Sequence, residues 1–166
     1  QSMTKRQSTK RTGVAALPAR TSTALLADVR ELILHAREGV ARAVNTGLTL
    51  LYWQIGCRIH KDILREKRAE YGAEILQALT AKLTAEFGRG FSQRNLASMI
   101  RFANVFPDRK IVVSLLRQLG WTHFSLIIYL DDPLKRDFYA EMCRMENWNT
   151  RTLHQKIQSM LFERTA

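Results

Sequence analysis

Phe91-Ser92-Gln93-Arg94-Asn95-Leu96 stands between two amphipathic segments, directly after the turn Gly88-Arg89-Gly90. Upstream, Ile75, Leu76, Leu79, Leu83 and Phe87 recur at three-four spacing, which predicts a helix from about Ala73 to Phe87 with that face buried. Glycine tolerates the left-handed conformation that ends helices, so Gly88-Arg89-Gly90 terminates it. Downstream, Ser92 is placed to cap a second helix with an apolar face of Leu96, Met99, Ile100, Ala103 and Phe106, and Pro107 stops it. Two helices joined by a tight turn are how a helix-turn-helix reads in sequence.

Working outward, the same periodicity dominates. Leu25, Leu26, Val29, Leu32, Ile33, Ala36, Val40 and Val44 follow helical spacing from Ser22, the best placed of Thr21, Ser22 and Thr23 to cap. Asn45-Thr46-Gly47 either interrupts or bends this helix, and Leu48, Leu51, Tyr52, Ile55, Ile59 and Ile63 continue the stripe to about Lys67. Ile111 to Leu119 is ambiguous: its β-branched start fits a strand, whereas Leu115, Leu116 and Leu119 favour a short helix. Thr122 is expected to cap a helix through Phe124, Ile127, Ile128 and Leu130. Asp132-Pro133 opens another, carrying Phe138, Met142 and Met145, because proline suits a first helical turn. Asn147-Trp148-Asn149 reads as a turn, with Asn149 or Thr150 capping a last helix of Leu153, Ile157, Met160 and Leu161. Almost nothing alternates at period two. The expected fold is all-α, a multi-helix bundle containing a helix-turn-helix-like unit, formed by one domain over residues 22–166.

A chain of 166 residues can bury a sizeable core without disulfide or metal support. Its formal net charge is +11. Residues 1–21 hold five Lys/Arg and no acid, and read as a flexible basic arm, with Gln1-Ser2 ahead of Met3 as a cloning remnant. Beyond the arm, residues 73–110 are the most basic segment, with six Lys/Arg against three acids. A polyanion is the favoured partner, nucleic acid ahead of a membrane surface. Cys57 and Cys143 stand alone, and His35, His60, His123 and His154 are too scattered for a metal motif, so neither metal nor cofactor is expected. No apolar run is long enough to span a bilayer, no signal peptide is legible, and a cytoplasmic setting with reduced thiols is expected.

Tyr52-Trp53-Gln54-Ile55-Gly56, Tyr71-Gly72, Gly90 to Leu96, Trp121-Thr122-His123, Asp137-Phe138-Tyr139 and Asn147 to Leu153 occur in that order. Together they resemble the N-terminal domain of the bacterial YhcG-like family, over roughly residues 22–164. The resemblance implies a helical domain that is a candidate DNA-binding unit and usually precedes a C-terminal PD-(D/E)XK nuclease domain. The chain stops at Ala166, about where that domain would begin, so the acidic pair and lysine of such a nuclease have no counterpart. These residues alone are expected not to cleave DNA. The family supplies no binding residues for this domain, and the assignments below rest on the residues themselves.

A recognition helix offers its N-terminal residues to base edges, where Arg pairs with guanine and Asn or Gln with adenine. Ser92, Gln93, Arg94, Asn95, Ser98 and Arg101 are therefore the candidate DNA-facing residues, with Arg89, Arg109 and Lys110 on phosphates. Trp121, Thr122 and His123 are partner-facing or structural, since no Ser, Cys or carboxylate stands at a spacing that implies a dyad or triad. Arg58, Lys61, Arg65, Lys67 and Arg68 alternate with Asp62, Glu66 and Glu70 and read as a solvated face of intrahelical pairs. The rival reading is a dimerisation or protein-docking module without DNA contact, resting on the apolar stripe from Leu25 to Ile63.

Overall fold

The computed structural model describes residues 21–65 and 70–165. Among these residues all the regular structure is helical: α1 (Thr21–Arg65), α2 (Tyr71–Phe87), a 3-10 turn (Arg89–Phe91), α3 (Gln93–Val105), α4 (Arg109–Leu115), α5 (Trp121–Ile127), α6 (Pro133–Glu146), α7 (Thr150–Gln158) and α8 (Leu161–Thr165). Residues 1–20 of the basic arm, Glu66, Lys67 and Arg68 of the charged stretch, and the side chain of Ser22 lie outside what is described. The chain divides into two units between Val40 and Ala41.

In the first unit the described residues are all helix, and every side chain from Thr23 to Val40 is exposed. In the second unit Asn45-Thr46-Gly47 lies within α1 and does not interrupt it. The Thr49 hydroxyl donates back to the Asn45 carbonyl at 2.8 Å, a bond made within the helix.

The second unit holds the core. Phe102 lies at its centre, stacked on Phe124 with ring centroids 4.4 Å apart and tilted against Trp121 at 5.8 Å. Around it pack Trp53 of α1, Phe106 just after α3, Val112 and Leu115 of α4 with Leu116 just after it, Ile127 of α5, Tyr139 and Cys143 of α6, and Leu153 of α7. A smaller cluster of Ile59, Leu96 and Met99 lies under α2. Gly56 lets α1 and α3 cross backbone to backbone, because a Cβ at that position would overlap the Met99 carbonyl.

The helix starts follow side-chain chemistry. Asp108 accepts from the Lys110 amide at 2.9 Å, Asp132 from Leu134 at 2.9 Å, and Asn149 from Thr152 at 2.8 Å. Asn147 closes α6 in the left-handed conformation, with φ 52°.

Several expectations need correction. The face of Ile75, Leu76, Leu79, Leu83 and Phe87 is not buried: none of α2 is, and Phe87 is 63% exposed. α2 packs on one side only, against the smaller cluster, so its apolar residues stay partly open. The ambiguity over Ile111 to Leu119, by contrast, resolves to the short helix that Leu115, Leu116 and Leu119 favour, with Asp108 as its cap. Gly120, not Thr122, is the N-cap of α5. In α6 the buried residues are Tyr139, Ala140 and Cys143, while Met145 is 60% exposed. The last helix is two, broken after Gln158, with Met160 at φ 57° and exposed.

Candidate nucleic-acid interface

The α2–turn–α3 unit begins where α2 ends on Gly88, whose φ of 91° only glycine adopts cheaply. The chain turns through Arg89–Phe91, and α2, the turn and α3 pack against one another. Ser92 caps α3, its hydroxyl accepting from the Asn95 amide at 3.2 Å. The Asn95 carboxamide in turn donates to the Gly90 carbonyl at 3.2 Å. Ser92 and Asn95 are thus spent on building the turn. Gln93 and Arg94, in the first turn of α3, are exposed and make no hydrogen bond within the described residues.

Further along α3 two expected DNA-facing residues are committed inward. Ser98 is 7% exposed and shares a hydrogen bond with the Tyr129 hydroxyl at 2.6 Å. The Arg101 Nε donates to the Ile128 carbonyl at 2.5 Å, its Nη2 reaches Asp131 at 3.3 Å, and its guanidinium lies 5.3 Å from the Tyr129 ring centroid. Arg101 therefore ties α3 to the end of α5, and its charge is partly offset by Asp131. Sequence spacing placed both residues on the outer face, but Tyr129 and Ile128, distant in sequence, lie over them. The same spacing leaves Asn104 exposed near the helix end, a polar residue absent from the sequence reading.

Arg89 is exposed in the turn that leads into Gln93 and Arg94. Arg109 and Lys110 are also exposed, in the first turn of α4. They do not join the first group: α3 has 13 residues, and its ends lie roughly 20 Å apart. The arrangement is two basic sites, one at each end of α3. Neither α3 nor α4 has an acid in its first turn, and each carries a cation there. A cation near a helix N-terminus opposes the macrodipole, typically at a cost of ~0.3–1 kcal/mol, so helix stability does not account for Arg94, Arg109 or Lys110.

Trp121, Thr122 and His123 make contacts within the fold. Trp121 packs edge-on to Tyr52 at 5.1 Å, and Thr122 shares a hydrogen bond with the Thr150 hydroxyl at 2.7 Å. His123 Nδ1 accepts from the Gly120 amide at 3.1 Å, which leaves the proton on Nε2 to donate to the Trp148 carbonyl at 2.8 Å. The ring clamps the start of α5 to the α6–α7 turn, where Lys156 covers the Trp148 ring at 5.7 Å. Tyr71 donates to Asp62 at 2.6 Å and, with Arg58 at 3.5 Å, holds that carboxyl below the usual carboxylate range. Arg58 is accordingly one member of an intrahelical pair, as its spacing predicts. No group of three or more His, Cys, Asp or Glu among the described residues is arranged to hold a metal ion.

The DUF1016 N-terminal domain matches residues 28–164. The chain belongs to this family. A relative from Escherichia coli (strain K12), described as "Putative nuclease YhcG", is 28% identical over 181 residues, covering 87% of this chain and 48% of its own length. The chain thus spans about half the length of that relative. No solved structure matches it. No described helix is long and apolar enough to cross a membrane.

Much of the signature that marks the family in this sequence turns out to be packing. Trp53, Gly56, Trp121, His123 and Tyr139 all serve the interior or its clamps. Within Gly90 to Leu96, by contrast, Gln93 and Arg94 are the polar side chains left facing outward without a local partner.

Proposed function

We propose that the α2–turn–α3 unit is a helix-turn-helix-like DNA reader, a non-catalytic module that brings DNA to a nuclease domain attached in longer family members. The observation that carries this reading is the first turn of α3. Ser92 and Asn95 rigidify it, while Gln93 and Arg94 project from it unpaired. Arg can bond guanine through two donors, and Gln can bond adenine in the same way. Arg89 and the Arg109–Lys110 group serve as phosphate contacts at the two ends of α3. Ser98 and Arg101 take no part in base contact, being engaged with Tyr129, Ile128 and Asp131. A nuclease-named relative and the basic balance of residues 73–110 point the same way.

The test is fluorescence anisotropy of the full chain with duplex, single-stranded and branched DNA across a salt series. A variant with Lys5, Arg6, Lys10, Arg11 and Arg20 replaced by Gln removes the non-specific contribution of the arm. In that background, binding is expected to persist and Arg94→Ala to weaken it by ~1–3 kcal/mol. Lys110→Ala is expected to lower the salt slope by roughly one contact. If binding disappears with the arm charges alone, the interface assignment is wrong.

A further inference from the structure

The first unit carries an apolar row that nothing in the DNA reading uses. Leu25, Leu26, Val29, Leu32, Ile33 and Val40 follow three-four spacing on α1 and are 43–70% exposed. These side chains leave an aliphatic row open to water, of the kind suited to an interface centre. We propose that residues 25–40 of α1 pair, parallel and in register, with the same segment of a second copy of this chain.

The charges at the two edges of the row select that partner and orientation. At 100° per residue, Arg30 and Arg37 flank one edge and Asp28 flanks the other. None of the three has an opposite charge three or four residues away on its own helix, so intrahelical pairing does not explain them. A parallel pair sets the Asp28 edge of each copy beside the Arg30 edge of its partner, giving two equivalent ion pairs. An antiparallel pair lays the two arginine edges against each other. Leu26, Ile33 and Val40 recur every seven residues, and Val29 and Ala36, also seven apart, follow three residues after Leu26 and Ile33. This spacing gives the row the two core positions of a heptad seam, while the edge charges set its direction. Exposed ion pairs contribute little energy, so the apolar row supplies the affinity and the charges set direction.

The proposal is independent of DNA binding and is tested without DNA. Light scattering of the full chain should give a dimer, and Leu32→Lys with Ile33→Lys should weaken association at least tenfold with the helical CD signal unchanged. In a Cys57→Ser background, Val29→Cys and Val40→Cys are made separately and oxidised. In register and parallel, each cysteine meets its own counterpart and both variants form a covalent dimer. The two positions are eleven residues, about 16 Å, apart along the helix, so an antiparallel pair cross-links at most one. A monomeric wild-type chain, a dimer indifferent to the lysine substitutions, or cross-linking at only one position would overturn the proposal.

Discussion

The Trp53 indole N–H donates to the Phe106 carbonyl at 2.8 Å, so a side chain of α1 satisfies the residue that caps the C-terminal end of α3. Pro107 follows and cannot continue the helix, which leaves this carbonyl without an intrahelical partner. The bond is buried and lies beside the aromatic cluster of Phe102, Phe106 and Phe124. Trp53→Phe keeps most of the apolar contact and removes the donor, leaving a buried acceptor unpaired. A loss of ~1–3 kcal/mol in urea denaturation is expected, with DNA affinity of the folded protein unchanged.

Gly56 and Gly47 make a controlled pair on the same helix. A Cβ at Gly56 overlaps the Met99 backbone, while at Gly47 it meets nothing within 4 Å. Gly56→Ala is expected to force α1 from α3 and cost on the order of 3 kcal/mol or more. Gly47→Ala should be neutral or stabilise by ~0.5–1 kcal/mol, since alanine is the better helix former. Thermal melts of the two variants side by side decide this, and equal effects would contradict the close crossing.

His123 bonds two segments at once, Gly120 through Nδ1 and Trp148 through Nε2. His123→Ala leaves both backbone groups without their partner and is expected to cost ~2–3 kcal/mol. Hydrogen exchange should show the loss at the start of α5 and in the α6–α7 turn together. Loss of DNA binding without loss of stability would instead make the ring a partner-facing group.

Arg94 and Arg101 should separate cleanly. Arg94 is exposed and unpaired, whereas Arg101 holds Ile128 and Asp131. Arg101→Ala is expected to destabilise the fold by ~1–3 kcal/mol, and Arg94→Ala by less than about 0.5 kcal/mol. Denaturation midpoints measured beside the anisotropy titrations check this division.

Burial pushes the Cys143 thiol up to about 12 from an ordinary 9.0. The folded state holds this proton more tightly than the unfolded state. Its contribution is therefore fully present below pH 9, and is lost as pH rises from there towards 12. A thiol reagent at pH 8 should leave Cys143 unmodified in the native protein and label it in denaturant. The half-buried Cys57 should label before it.

The sequence by itself determined the all-helical class, the ends of α2 and α3, the cap at Ser92 and the opening of α6 at Asp132-Pro133, while it left the cap of α7 open between Asn149 and Thr150. These follow from local rules: three-four periodicity, glycine at a positive φ, and short polar side chains that bond their own backbone. Family membership was also legible, through Trp53, Gly56, Trp121 and the rest of that ordered set. Tertiary structure alone decided which polar residues are available to a partner. Ser98 and Arg94 are both polar and both lie on α3, yet Tyr129, thirty-one residues further on, takes Ser98 while nothing covers Arg94. Phe102 became the centre of the core, and α2 stayed half open, because burial depends on what other segments bring to a face. Periodicity marks a face as apolar, but only the arrival of another surface removes it from water.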